Sequence, residues 1–387
     1  CFPPGEEMKA LSFLPLNHIF ERMVTYLYLF RGISIYYAES LETIADNLKE
    51  VQPEIFSTVP RLLEKVYDRI VAKGNEQKGI KKKLFFWALD LGLKYELNGA
   101  NGWFYEFQLK IARKLIFSKW REALGGKVVA IVSGGAALQP RLSRVFFAAG
   151  INVLEGYGLT ETSPVIAINN FLPNSICFGT VGPVIDKVSV KFAEDGEILV
   201  KGPNIMLGYY NRPDATAEAI DADGWFHTGD IGTFVENRFL KITDRKKEIF
   251  KTSGGKYITP VKIENKLKES PFIEQVMVVG ENQKFASALI VPAFAYLKDY
   301  CKLKNIEYKS NEDIIKNETV KKRIFQEVEN LNKDLAQYET IKAPELLPRE
   351  WSIEKNELTP KLSLKRKVIL AANKELIDKI YKEKGNQ

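Results

Sequence analysis

Two glycine-bearing segments, Ser133-Gly-Gly-Ala-Ala-Leu138 and Glu155-Gly-Tyr-Gly-Leu-Thr-Glu161, stand about twenty residues apart, each behind an apolar run. Glycine lets backbone come close to a flat or charged ligand and take dihedrals that other residues avoid. Within the second segment Tyr157 offers a flat face for a base and Thr160 a hydroxyl for a phosphate oxygen. Glu161 offers a hard carboxylate suited to magnesium. On these residues alone, two ordinary glycine turns remain the competing reading.

Further along, Asp230 in His227-Thr-Gly-Asp can accept hydrogen bonds from two vicinal hydroxyls through its two oxygens, or can simply cap a strand end. His18 sits in Phe13-Leu-Pro-Leu-Asn-His-Ile-Phe-Glu21, and His18 and His227 are the two histidines of the chain. A lone histidine is more often a satisfied core residue than a ligand. Near the other end, Leu358-Thr-Pro-Lys-Leu-Ser-Leu-Lys-Arg-Lys367 carries Lys361, Lys365 and Lys367, any of which could place an ammonium, and which otherwise read as a basic surface strand.

Regular elements must hold these groups. Val128-Val-Ala-Ile-Val132 is a wholly apolar, β-branched run ending in Ser133-Gly-Gly, the pattern of a buried parallel strand that meets a ligand-facing loop. A helix is expected from Pro140, with Leu142, Val145, Phe146 and Ala149 on one face, and Asn152-Val-Leu154 leads into the second glycine loop. Strand, loop, helix, strand, loop is an α/β sheet, whose ligands gather where strands end. Upstream, residues 41 to 72 read as two helices around a short strand. Residues 80 to 122 read as a lysine-rich aromatic helical hairpin, broken at Asn98-Gly-Ala-Asn-Gly102 and expected to be a surface insertion.

From Val181 the texture becomes short alternating strands around Glu194-Asp195-Gly196. After Arg245 it changes again, to strands at Val276–Val279 and Ala288–Val291. A helix follows with Val320, Ile324, Val328, Leu331, Leu335 and Tyr338 on one stripe. The expected fold is α/β: a large lobe of residues 1–180 with a β-rich subdomain at 181–246, and a smaller α+β lobe at 247–387 beyond a boundary near Lys247.

With 387 residues, 45% of them hydrophobic, the chain can bury a large core, which excludes a disordered protein. The net charge of +7 suits anionic ligands or a membrane surface. Its charges are spread through helices rather than gathered in one tract, which argues for a solvated surface and against a nucleic-acid partner. Cys1, Cys177 and Cys301 have no disulfide or metal spacing, so a reducing, cytoplasmic setting is expected, with a peripheral contact on the inner face of a membrane left open. The apolar patch from Tyr26 to Ile35 is too short to span a bilayer.

Asp223-Gly-Trp-Phe-His-Thr-Gly-Asp-Ile-Gly232 and Asp244-Arg-Lys-Lys-Glu-Ile-Phe-Lys-Thr-Ser-Gly-Gly-Lys256 together resemble the signature of fatty acyl-CoA synthetases, members of the adenylate-forming enzyme superfamily. The resemblance implies that Gly135, Ala136 and Ala137 line adenosine and the acyl channel. It implies that Gly156 and Tyr157 hold the adenine, with Glu155 and Gly158 also in the cofactor-binding segment, and that Thr160 binds the α-phosphate and Glu161 the magnesium. Asp230 would take the ribose hydroxyls, Arg245 the ribose and phosphate side, and Lys247 the hinge position. Ser253 and Gly254 would border the coenzyme A channel, and His18 the acyl carbonyl. Lys365 is identified with the adenylation lysine, in a segment one residue shorter than usual and with Leu364 in place of glycine.

Leu115-Ile-Phe-Ser-Lys-Trp-Arg-Glu-Ala-Leu-Gly-Gly126 resembles long-chain members, which implies a long aliphatic acid as substrate. The implied reaction uses ATP, Mg2+ and coenzyme A: a fatty carboxylate attacks the α-phosphate to give acyl-adenylate and pyrophosphate, and the thiol then displaces AMP. The family's serine-, threonine- and glycine-rich phosphate loop finds no match in residues 1–17. The chain is therefore expected to be the later part of a larger enzyme and inactive by itself. Two alternatives remain: an acyl-AMP ligase loading a carrier protein, and a non-catalytic lipid or nucleic-acid binder.

Overall fold

A computed structural model describes residues 8–359 and 362–384. It is a mixed α/β chain of two compact units, the larger formed by residues 1–228 and 232–242 and the smaller by 229–231 and 243–387.

Among the described residues of the larger unit, a six-stranded sheet has the order β2-β1-β3-β4-β5-β6. Its strands are β1 (Lys9–Ser12), β2 (Ser34–Tyr37), β3 (Ile55–Thr58), β4 (Ala130–Ser133), β5 (Asn152–Gly158) and β6 (Val165–Ile168). The first five are parallel, and β6 returns antiparallel to β5. The apolar run Ala130-Ile-Val132 suits β4 to burial on both faces, and the strand is buried along its length. The expected helices form at Ile44–Val51, Pro60–Glu76 and Pro140–Ala148.

The hairpin of residues 80–122 departs from expectation. Its helices Gly79–Leu93, Trp103–Ala112 and Ser118–Ala123 are not a surface insertion, because Ala88, Leu109, Ala112, Phe117 and Trp120 are buried in one cluster with Leu11, Phe56 and Ile131 of the sheet. Trp120 meets Phe117 edge-on at 5.1 Å and Phe146 at 6.3 Å. Lysine-rich helices look solvated in sequence, yet lysines on one face leave the other free to pack.

The second glycine segment also differs from its reading as a loop. Glu155 to Gly158 continue β5, and β6 pairs with them at Gly156↔Ile168 and Tyr157↔Ala167. A residue without Cβ is required at Gly158, where any side chain would run into the Pro164 carbonyl. The loop begins only afterwards, with a turn of 3-10 helix at Thr160–Thr162.

A second sheet of order β10-β9-β8-β7 follows, from β7 (Ser189–Phe192), β8 (Glu197–Lys201), β9 (Phe226–Val235) and β10 (Phe239–Arg245). The strands β7 and β8 form the hairpin expected at Asp195-Gly196, with Phe192 opposite Ile198. In the smaller unit, β11 (Phe250–Lys251) and β12 (Tyr257–Ile258) make a two-residue ladder. The strands β13 (Ile273–Val279), β14 (Ser287–Pro292) and β15 (Glu345–Leu346) form a sheet under helices. The apolar stripe from Val320 carries a helix only to Asn332. Leu335 and Tyr338 lie beyond it, outside the helix.

Candidate active site

At the carboxyl end of β4, Ser133 is buried, and Gly135, Ala136 and Ala137 are exposed. Thr58 lies opposite Ser133 in register, and the hydroxyls of both have no hydrogen-bond partner among the described residues. Buried polar groups are normally paired, so two orphans at adjacent strand ends mark a place where polarity is held for something other than the core.

On the neighbouring strand the side chains of the motif part company. Glu155 turns inward and accepts from the Ser143 hydroxyl at 3.1 Å, and burial pushes its carboxyl up to about 8. Gly156 and Tyr157 are half-buried, and Gly158 and Thr160 are exposed. Glu161 keeps its carboxylate partly open, accepting from the Tyr209 hydroxyl at 3.0 Å. The loop is pinned from outside: Asn204 Nδ2 donates to the Thr162 and Val165 carbonyls at 3.0 and 2.9 Å, and the Met206 amide donates to the Glu161 carbonyl at 2.8 Å. The arrangement presents an aromatic face, a hydroxyl and a carboxylate together where parallel strands end.

His18 serves as the N-cap of helix Ile19–Phe30, its Nδ1 accepting from the Phe20 amide at 3.4 Å. Three residues on, Glu21 is fully buried and accepts hydrogen bonds from the hydroxyls of Ser12 of β1, at 2.6 Å, and Ser57 of β3. Burial pushes this carboxyl up, against the pull of the two serines. Glu21 thus ties the His18 helix to two strand ends. It stood inside the quoted motif without being singled out, since a carboxylate in sequence gives no sign that it will be buried. Tyr209 gave no signal at all.

In the smaller unit, Asp230 is buried and its Oδ1 lies 3.2 Å from Arg245 Nε, while the Lys246 amide donates to the Gly229 carbonyl at 2.8 Å. Lys247 is exposed on the turn closed by the Glu248 and Ile249 amides on the Arg245 carbonyl. Ser253 and Gly254 are exposed in the turn between β11 and β12, which the Ser253 amide anchors to the Gln283 carbonyl at 2.9 Å. Lys365 caps helix Arg366–Ala372, its amide donating to the Glu357 carbonyl at 2.8 Å and its ammonium to Asn356 Oδ1. Lys367 is exposed on that helix, and Lys361 lies outside the described residues.

Among the described residues no group of three or more His, Cys, Asp or Glu could hold a metal ion unaided. Magnesium commonly takes one or two protein carboxylates and fills its remaining positions with water and substrate phosphate, so Glu161 fits an ion that arrives with a nucleotide. Among the described residues no helix is long and apolar enough to cross a membrane.

Residues 2–210 match the family model for AMP-binding enzymes, and residues 247–385 match that for the AMP-binding enzyme C-terminal domain. The chain is 37% identical to long-chain-fatty-acid–CoA ligase 1 of Homo sapiens, over 98% of this chain and 55% of that one. It is 34% identical to long-chain-fatty-acid–CoA ligase FadD15 of Mycobacterium tuberculosis, over 96% and 62%. It therefore spans about half to three fifths of the length of these relatives. In structure it resembles the adenylation domain of a carboxylate reductase from Mycobacterium chelonae, with TM-score 0.74 and 22% identity over 97% of this chain and 54% of that one. It also resembles o-succinylbenzoate coenzyme A synthetase of Bacillus subtilis in complex with ATP and magnesium, with TM-score 0.60 and 19% identity over 94% and 61%.

Proposed function

This chain belongs to the AMP-binding enzyme family, and from that premise we propose that it serves the ATP-dependent activation of a long-chain fatty acid, through acyl-adenylate, to acyl-CoA. The observation that carries the proposal is the end of β5 and the turn that follows it, where Tyr157 on the strand is succeeded by Thr160 and the Tyr209-braced Glu161. The identity of the acid rests on the relatives, two of which are long-chain-fatty-acid–CoA ligases alike over nearly the whole of this chain.

In this reading Tyr157 stacks on adenine, with the exposed Gly135–Ala137 backbone beside it, and Thr160 donates to an α-phosphate oxygen. Glu161 would hold magnesium, which neutralises phosphate charge. Asp230 accepts from the ribose hydroxyls, and Arg245, which already pairs with it, holds that carboxylate in place and adds positive charge. Lys365 brings an ammonium to the charge that develops during adenylation, and cationic positioning of this kind supplies most of the rate in phosphoryl-type substitution. Lys247 is assigned as pivot of a mobile lobe at 247–387. Ser253 and Gly254 are assigned to the coenzyme A path, and His18 to the acyl carbonyl through the position its capping bond fixes.

A C16 acyl-adenylate tests the reading directly. The chain is expected to bind it at least about tenfold tighter than AMP alone, and Asp230→Asn is expected to lose about tenfold of that affinity. Equal affinity for both ligands, or an indifferent Asp230→Asn, overturns the assignment. Given acyl-adenylate, thioester formation on free coenzyme A supports the ligase reading, and acceptance by a carrier-protein pantetheine alone supports the carrier-loading alternative. In a longer polypeptide that contains this chain and adenylates fatty acid, Lys365→Ala is expected to abolish adenylation while sparing thioester formation from supplied adenylate.

A further inference from the structure

We infer that the outer face of helix Trp103–Ala112 and its continuation to Phe117 is a membrane-docking surface that fits an anionic lipid bilayer. The helix is apolar on two opposite sides. Its inner side, Leu109, Ala112 and Phe117, is fully buried against the sheet cluster, and Arg113 secures it by donating from Nε to the Ala148 carbonyl at 2.7 Å. The inner side has its partner.

The outer side carries Trp103, 81% exposed, Phe104 and Phe107, each 58% exposed, Leu115, 46% exposed, and Ile111. Trp103, Phe107 and Ile111 recur every fourth residue, and Phe104 and Leu115 lie along the same flank, so the five form one stripe. Trp103 and Phe104 touch edge-on at 5.7 Å, and both remain open to solvent. Single exposed apolar residues are ordinary, whereas a contiguous aromatic stripe marks an interaction face.

The charge around the stripe selects the occupant. Lys110 and Lys114, both exposed, follow Phe107 at helical spacing and border the stripe, with Lys119 exposed one turn further. Between residues 78 and 122 there are ten Lys and Arg against four Asp and Glu, an excess of six within a chain whose whole net charge is +7. Tryptophan and phenylalanine on one face with lysines along its edge is the pattern of a helix lying in the plane of a bilayer interface. The rings seat at headgroup depth and the ammonium groups meet anionic headgroups. Between Trp103 and Lys119 the one acid is Glu106, against Lys110, Arg113, Lys114 and Lys119, so the border is mostly basic, as an anionic surface requires and as a mixed-sign protein rim would not be.

Vesicle co-sedimentation without ATP, fatty acid or coenzyme A tests the surface, so its failure leaves the ligase reading standing. The chain is expected to bind vesicles of 70% phosphatidylcholine and 30% phosphatidylglycerol, to release at high salt, and to bind pure phosphatidylcholine weakly. Trp103→Ser/Phe107→Ser and Lys110→Glu/Lys114→Glu are each expected to cut binding at least about tenfold. Leu207→Ser, a fully exposed position elsewhere, is expected to leave it unchanged. Unchanged melting temperatures confirm that the variants fold. Three results overturn the inference: no binding to anionic vesicles, binding that either double variant retains, or self-association abolished by Trp103→Ser, which would make a second copy the occupant. Protection of Trp103 from hydroxyl-radical footprinting before vesicles are added, in this chain or in a longer polypeptide that contains it, would likewise overturn it.

Discussion

Arg366 Nη2 donates to both oxygens of the Glu264 carboxylate, at 2.6 and 2.7 Å, and the residue that precedes Arg366 is Lys365. Its Nε also reaches Glu248 at 3.0 Å, on the turn that holds Lys247. Glu264 lies on helix Pro260–Leu267 and its Oε1 additionally accepts from the Val278 amide at 2.7 Å. One arginine thus joins the base of the Lys365 turn, the Lys247 turn and the β13 strand of the smaller unit.

Removing one partner of such a pair strands a buried charge. Arg366→Met is expected to lower the stability of the smaller unit by about 3–5 kcal/mol, and Arg366→Lys, whose one ammonium cannot serve Glu264 and Glu248 as Nη2 and Nε do, to recover only part of it. Chemical denaturation followed by far-ultraviolet circular dichroism measures both. A loss below about 1 kcal/mol for Arg366→Met would show that the pair lies in water.

Asp244 stands beside this cluster, buried, with Oδ2 unpartnered among the described residues. Burial pushes its carboxyl from the ordinary 3.8 up to about 7, Glu248 and Glu264 add to the rise, and the Arg245 amide and Arg366 oppose it. Between those values the folded chain holds a proton that the unfolded chain has lost. The resulting stability is complete below 3.8 and disappears as pH rises through 7. Asp244→Asn is expected to flatten the fall in melting temperature between pH 4 and pH 7, an effect on the order of 2–4 kcal/mol. Glu155, Glu21 and Glu264, also raised by burial, act in the same direction.

Gly158 and Gly254 separate two uses of glycine. A methyl at Gly158 meets the Pro164 carbonyl, whereas one at Gly254 finds only Thr252 Oγ1 at 4.0 Å. Gly158→Ala is expected to disturb the β5–β6 ladder, lower the melting temperature and weaken acyl-adenylate binding at least about tenfold. Gly254→Ala is expected to leave stability within about 0.5 kcal/mol, as calorimetry would show.

Tyr209→Phe removes only the hydroxyl that braces Glu161. Stability is expected to change by less than about 0.5 kcal/mol, while the magnesium concentration for half-maximal ATP binding rises several-fold. An unchanged magnesium dependence would detach Tyr209 from the metal role proposed for Glu161.

Trp120→Ala tests whether the lysine-rich hairpin belongs to the core. With Trp120 packed on Phe117 and Phe146, a loss of about 3–5 kcal/mol is expected, by denaturant titration. A surface insertion would lose almost nothing.

What could be read from the sequence was local. Apolar periodicity marked the helices Ile44–Val51, Pro60–Glu76 and Pro140–Ala148, a β-branched run marked the core strand that ends at Ser133, and Asp195-Gly196 marked a hairpin. Each depends on residues within a few positions of one another, where backbone sterics and side-chain spacing act. The candidate groups Tyr157, Thr160 and Glu161 were legible for the same reason, as neighbours in one short segment. Their surroundings were not. Glu155 turning inward to Ser143, Glu21 between Ser12 and Ser57, Tyr209 on Glu161 forty-eight positions away, and Arg366 on Glu264 one hundred and two positions away depend on which elements become neighbours. The burial of the aromatic hairpin depends on it too. Sheet order and the covering of its faces decide that adjacency. They arise from the removal of distant apolar surfaces from water, a collective quantity that no short window of residues contains.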